Sequence, residues 1–371
     1  MELIDKYNLK ELKRIILFKK YKKILIVAGS SSYFSSKAKV LIDKLTKEKI
    51  TNLFLKKKKI PEYQELISLI KLINKFHPNL IIAIGGGAVL DLSKVANSLA
   101  FEQNIKKKII ANNYEVKNFC EILAIPMTAG TGAEVTTNAV IYLKDIKYSV
   151  EGSSVKPNHM ALLPELIITN KKKDIINSSA FDCFAQSVES MFSKKSSLKS
   201  IKYSKKSIKL FLENYKKFIK NKSYNNGYLM SLASYYSGKA ISISKTIAPH
   251  AVSYPFTSYF NVNHGHAVSL TLDSFIEYNF DNLELSTANY NIQDRYKLLF
   301  KILDVNNIVE FKKKILEIKK NLHLERKLSL INKKIPGNLD LILKNVNEQR
   351  LSNNPVRIEK KNILNILKKI I

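Results

Sequence analysis

The chain is poor in cysteine, with Cys120 and Cys183 alone in 371 residues. One pair is no disulfide framework, and so low a count fits a reducing cytoplasm. Long apolar runs are missing as well. None approaches the roughly 18 residues that a membrane helix needs, so no membrane partner is expected. The first residues, MELIDKYNLKELKRI, carry charge throughout and no apolar signal core, which points to a cytoplasmic protein. Arginine is scarce: Arg14, Arg295, Arg326, Arg350 and Arg357 are the only ones among 62 basic residues. The net charge of +31 raises the question of nucleic acid. Specific readers of nucleic acid lean on arginine and interleaved aromatics, however. Here lysine is spread over the whole chain beside abundant isoleucine and asparagine, as a biased coding composition would produce, and no nucleic-acid partner is expected. Such a surface attracts anionic substrates and cofactors instead.

What is present is an ordinary globular composition, 45% apolar, in a length that suggests two domains. Residues 9–20 read as an amphipathic helix. Lys23-Ile-Leu-Ile-Val-Ala28 is a short apolar run closed by Gly29-Ser-Ser-Ser32, as a buried parallel strand and its turn would be. A helix is expected over 35–47, a strand over 52–55, and a helix from Pro61 to Phe76, since proline suits a first helical turn. Residues 79–84 form a third strand, 89–99 a helix and 121–126 a fourth strand. Strands alternating with helices predict a parallel sheet covered on both faces, a Rossmann-like α/β domain over 1–169. From 170 to 371 strand signals fade and helical periodicity dominates, which predicts an all-α second domain.

Two glycine-rich turns each follow a strand. Gly85-Gly86-Gly87 opens the helix that carries Asp91 and Lys94, and Thr128-Ala-Gly-Thr131-Gly132 follows the fourth strand. Glycine lets a ligand approach the backbone, and a helix N-terminus offers free N–H groups to a phosphate. Two such turns at the C-terminal edge of one sheet predict a nucleotide pyrophosphate there. Three of the six histidines, His250, His264 and His266, fall within Ser244–Leu270. Upstream, Asp182 and Gln186 are four apart and share a face if their segment is helical. A carboxylate, an amide oxygen and two imidazoles could close around one divalent cation. Spacing alone leaves both histidines open to ordinary core or surface roles.

Gly85-Gly-Gly-Ala-Val-Leu-Asp-Leu-Ser-Lys94 resembles the GGGSxxDxxK motif of the iron-containing (group III) alcohol dehydrogenase family. Pro126-Met-Thr-Ala-Gly-Thr-Gly-Ala-Glu134 resembles its PTTxGTGSE loop, and Asn353-Asn-Pro355 its NNP signature. The resemblance runs the whole chain in order. It implies a dehydroquinate synthase-like N-terminal nucleotide domain, an all-α C-terminal domain and an active site in the cleft between them. It implies a metal held by Asp182, Gln186, His250 and His264, with Fe2+ expected and Zn2+ the alternative. Gln186 departs from the family's usual histidine, and Tyr254 stands where a second late histidine is common. The resemblance further implies cofactor contacts at Gly29, Ser30, Gly86, Gly87, Asp91, Thr128, Thr131 and Lys147.

These departures, with SISKTIAPHAVSYPFTSYF, HGHAVSL and GSSSYFSS, resemble one branch of that family, the phosphonoacetaldehyde reductases. That implies reduction of 2-phosphonoacetaldehyde to 2-hydroxyethylphosphonate. Lys245 and Thr246 are then the expected substrate contacts, and Tyr254, His266 or water the proton relay. The turn after the first strand has hydroxyls and no carboxylate, so NADPH is expected over NADH. A general aldehyde reductase, a dehydroquinate synthase-like lyase and a lysine-rich binding protein on a decayed enzyme fold are the competing readings. Family members are often oligomers, so a homo-oligomer is expected, although no stretch identifies an interface.

Overall fold

The computed structural model describes residues 1–5, 8–18, 21–169 and 171–371. Residue 170, where the sequence starts the second domain, lies outside the described residues, as do residues 19 and 20 of the first expected helix. The chain folds into two compact units, Met1–Lys171 with Lys222–Tyr235 and Lys172–Asn221 with Tyr236–Ile371. Among the described residues no helix is long and apolar enough to cross a membrane.

The first unit is built on strands β1 (Glu2–Leu3), β2 (Lys23–Gly29), β3 (Ile50–Lys56), β4 (Leu80–Gly85), β5 (Glu121–Pro126) and β8 (His159–Ala161). They form a parallel sheet in the order β1-β8-β5-β4-β2-β3. The apolar runs are explained by burial on both faces. Ile24, Ile26, Leu80, Ile82, Leu123 and Ile125 point to one side, where Leu12, Ile16 and Ile42 cover them. Leu25, Val27, Ile81 and Ile122 point to the other, against Leu66, Leu69, Val89 and Leu92. This period of two fixes the register, since a one-residue slip would exchange the two faces.

Three local expectations are corrected. The helix expected over 35–47 is shorter, Ala38–Leu45, and the turn expected over Gly29–Ser32 gives way to a further short helix, Ser30–Ser35. Pro61 does not open the next helix, which runs Tyr63–Phe76; the Pro61 carbonyl instead accepts the Tyr142 N–H at 2.8 Å. That donor belongs to an unexpected antiparallel hairpin of β6 (Asn138–Leu143) and β7 (Ile146–Glu151). Its turn is Lys144-Asp145, with Lys144 left-handed at φ 57°, and lacks the glycine that usually marks such turns.

The second unit is helical. Its central helix, Lys173–Phe192, is buried on every side from Ala180 onward, as only a helix inside a bundle can be. Phe181 packs edge-on against Phe184, Phe184 meets Phe211 of the Leu198–Lys220 helix, and Phe211 stacks on Tyr215 at 4.6 Å. That second helix starts at a reciprocal cap: Ser197 Oγ accepts the Ser200 N–H and the Ser197 N–H donates to Ser200 Oγ. The helices Ala248–Phe260 and His264–Ser269 are separated by a left-handed Asn261. A second core of Val252, Phe256, Phe275, Ile335, Ile342 and Ile363 packs around them.

A candidate metal centre and a glycine-lined nucleotide edge

Because Lys173–Phe192 is helical, Asp182, Gln186 and Glu189 fall at i, i+4 and i+7 on one stripe. The helix Ala248–Phe260 delivers His250 and, one turn later, Tyr254. His264 opens the next helix. Gly265 makes that placement possible: a Cβ there would lie 2.0 Å from the Ser178 carbonyl oxygen and 2.8 Å from Asp182 Cβ. No side chain fits, so only glycine lets His264 come this close to the central helix.

The result is a convergent donor set. One ligand atom from each of Asp182, His250 and His264 lies within 4.8 Å of the others. His250 Nε2 is 3.2 Å from Asp182 Oδ1, and the His250 and His264 rings are 5.2 Å apart. His250 Nδ1 lies 2.5 Å from Glu189 Oε1. The other Glu189 oxygen accepts the backbone N–H of Ile247 at 2.8 Å. Glu189 is fully buried, and nothing in the sequence reading singled it out. Its spacing of seven from Asp182 was the available signal. Burial pulls the His250 imidazole down, but the carboxylates of Glu189 and Asp182 outweigh it and hold its pKa up at about 9. Two imidazoles and a carboxylate suit Fe2+ or Zn2+, and the buried carboxylate on the far nitrogen is the outer partner that metal-ligating histidines usually have. The residues present therefore fit a divalent cation.

The other expected residues divide. Gln186 reaches the cluster, but its oxygen accepts from Ser237 Oγ at 2.8 Å while its amide nitrogen donates to Asp182 Oδ2 at 3.2 Å. As placed it steadies Asp182 and does not offer the oxygen expected of a ligand. The Tyr254 ring lies 5.8 Å from that of His264, and its phenol shares side-chain hydrogen bonds with Thr246 and Arg350. Burial raises the Tyr254 pKa, and the Arg350 charge draws it back. His266 is not brought to the cluster. Its Nε2 sits 2.8 Å from the Glu325 carbonyl, and burial lowers its pKa. Lys245 is the left-handed residue that ends the Tyr224–Ser244 helix, with φ 63°. The Asn353 amide donates to the Thr246 carbonyl at 3.2 Å, so the NNP segment braces this corner.

In the first unit, β2, β4 and β5 end level, because Ala28 pairs with Ile84 and Gly85 with Pro126. Gly29-Ser30, Gly85-Gly87 and Thr128–Thr131 thus follow neighbouring strands at one edge. The helix Gly87–Ser98 begins there with Gly86 as its N-cap and no side chain covering its N–H groups. A Cβ on Gly87 would lie 2.7 Å from Thr131 Oγ1, so this glycine lets the two loops close on each other, while one on Gly86 would make ordinary contact with Thr128 at 3.6 Å. Lys94, fully buried, fastens them by donating to the Ala133 and Asn138 carbonyls at 2.9 and 2.7 Å and to Thr136 Oγ1 at 2.8 Å. Asp91 accepts the Val140 N–H at 3.2 Å, which ties β6 to this helix. Burial raises its pKa, with Lys94 and Lys147 acting against that. Burial likewise pushes Glu134 up to about 7. An uncapped helix N-terminus beside two threonines fits a pyrophosphate.

Among curated proteins the chain is 28% identical over 224 residues to a phosphonoacetaldehyde reductase of Streptomyces viridochromogenes, covering 57% of this chain and 56% of that one. It is 29% identical over 156 residues to an alcohol dehydrogenase of Thermococcus barophilus, covering 38% and 41%. The matches thus span about half the length of these relatives. Among solved structures, the sulfoacetaldehyde reductase of Bifidobacterium kashiwanohense in complex with NAD+ superposes with a TM-score of 0.87 at 23% identity, over 100% of this chain and 96% of that one. At that identity the likeness speaks for the fold. Family models decide membership: "Iron-containing alcohol dehydrogenase" matches residues 3–169, and "Fe-containing alcohol dehydrogenase family, C-terminal" matches residues 176–371. With both halves matched in order, the chain belongs to the iron-containing alcohol dehydrogenase family.

Proposed function

We propose that this protein reduces an aldehyde to a primary alcohol, with 2-phosphonoacetaldehyde as the substrate and 2-hydroxyethylphosphonate as the product. The observation that carries the reading is the buried cluster of Asp182, His250 and His264, whose donor atoms converge within 4.8 Å above the Glu189 carboxylate. The phosphonate is supported by the match to the Streptomyces reductase.

A divalent cation, Fe2+ or Zn2+, would supply Lewis acidity toward the carbonyl oxygen, and a nicotinamide cofactor the hydride. The chain does the rest. Asp182, His250 and His264 bind the cation. Glu189 accepts from His250 Nδ1, which fixes the tautomer and turns Nε2 toward Asp182. Gln186 holds Asp182 in place. Tyr254 stands beside His264 with its hydroxyl in a chain to Thr246 and Arg350, and moves the proton that completes the alcohol. At the sheet edge Gly86, Gly87, Thr128 and Thr131 hold the pyrophosphate, with Asp91 and Lys147 behind them. Gly29 and Ser30, at the end of β2, would hold the ribose. Residues 29–36, GSSSYFSS, contain no carboxylate to repel a 2′-phosphate, which favours NADPH over NADH.

The test is NADPH oxidation by purified, metal-reconstituted protein offered phosphonoacetaldehyde, acetaldehyde and propionaldehyde. Turnover of the phosphonate at least about tenfold above the others in kcat/KM is expected. Equal turnover of all three would leave a general aldehyde reductase, and a higher kcat/KM with NADH would overturn the cofactor choice.

A further inference from the structure

Arg350 is the only buried arginine among the described residues, at 7% exposure, in a chain whose basic surface is nearly all lysine. It reaches its place through a proline. Pro255 lies inside the Ala248–Phe260 helix and has no N–H for the Ala251 carbonyl. That carbonyl accepts the Asn347 N–H instead, at 3.2 Å. The Asn347 side chain then caps the short helix Glu348–Leu351, accepting the Arg350 N–H at 2.8 Å. The guanidinium is thereby delivered to the phenol of Tyr254, which also bonds Thr246. Tyr254 is the aromatic neighbour of His264. The guanidinium thus meets a phenol whose ring lies 5.8 Å from that of His264, and Arg350, Tyr254 and Thr246 are each at most 7% exposed.

A neutral aldehyde offers a guanidinium at this phenol no charge to pair with. An aldehyde whose anion is one methylene away does. The planar fork of arginine matches the oxygens of a tetrahedral anion, which a lysine point charge does not. We propose that Arg350, with the hydroxyl of Thr246, is the receptor for a phosphonate or sulfonate head group on the substrate aldehyde. This rests on the aldehyde-reductase reading of the metal site. It moves the anion contact from the half-buried Lys245 to a buried residue, and makes Arg350 a determinant of specificity.

The experiment compares metal-reconstituted wild type, Arg350→Lys and Arg350→Met. For each, kcat/KM is measured with phosphonoacetaldehyde, sulfoacetaldehyde and propionaldehyde, and ethylphosphonate binding is measured by calorimetry on the same preparations. Arg350→Met should lower the phosphonoacetaldehyde-to-propionaldehyde ratio by about 30-fold or more, mostly through KM, and abolish ethylphosphonate binding. Arg350→Lys, which keeps the charge and loses the fork, should fall between. The wild-type ratio of phosphonate to sulfonate aldehyde tells which head group is read. An unchanged ratio in both variants would overturn the proposal and leave Arg350 as a brace for Tyr254. Wild type that reduces propionaldehyde but neither anionic aldehyde would overturn it as well, while the reductase reading stands. If no aldehyde is reduced, that reading falls, and ethylphosphonate binding that needs Arg350 still decides the receptor. Should Arg350→Met fail to fold, Arg350→Lys carries the same comparison.

Discussion

Glu189 is placed to act on the candidate metal centre through His250. Its carboxylate faces His250 Nδ1 at 2.5 Å and is wholly buried. Replacing Glu189 by Gln keeps the shape and removes the charge. An outer carboxylate on a ligating histidine is worth about 10–100-fold in metal affinity. Glu189→Gln should therefore weaken Zn2+ binding by that factor in competition with a chromogenic chelator, with the far-ultraviolet circular dichroism unchanged. Wild-type affinity in the variant would reduce Glu189 to a packing residue. Gln186 contrasts with it. The amide that spacing offered as a ligand is spent on Ser237 and Asp182. Residue type and periodicity could say that Gln186 lies on the metal-facing stripe, but not which amide atom faces the carboxylate. Arg350 was beyond reach for another reason: its neighbours are set by a fold-back across a hundred residues of helix.

Elements were more legible than residues where one local rule governs them. The strands β2, β4 and β5 were readable because burial on both faces leaves an unbroken apolar run between turn signals. The hairpin of β6 and β7 was not, since Lys144-Asp145 carries no turn signature and β7 is buried at Val150 alone. The central helix hid differently. Buried all round, Lys173–Phe192 shows little amphipathic periodicity, and its serines at 187 and 190 look like surface. The contact between this helix and His264–Ser269 depends on one position. Any side chain at 265 must displace the Ser178 carbonyl, backbone that cannot swing aside. Gly265→Ala should force the two helices apart and cost about 1–3 kcal/mol of stability, the usual penalty of overpacking. His264 would withdraw from Asp182 with it. A lower melting temperature together with lost Zn2+ binding is the expected pair of results. Lower stability with metal binding intact would mean that the helix slides without moving His264.

For the whole molecule, charge governs. There are 62 basic residues against 31 acidic ones, and several of the ion pairs that relieve them are exposed on both sides, such as Lys39–Asp43 and Lys216–Glu317. Exposed pairs contribute little. The dominant long-range effect is then self-repulsion, which salt screens over a Debye length that shrinks from about 10 Å at 0.1 M to about 3 Å at 1 M. Raising KCl from 0.05 to 0.5 M (about a threefold contraction of that length) should stabilise the protein. A gain of about 1 kcal/mol corresponds to a rise of about 2–4 °C in melting temperature. The same screening removes the attraction that draws a phosphate-bearing cofactor and an anionic aldehyde to the surface, so KM for both should climb while that for propionaldehyde stays level. Stability and anion affinity thus move in opposite directions with salt. A melting temperature that fell over this range would mean that ion pairs, and not net repulsion, set the electrostatic balance of the fold.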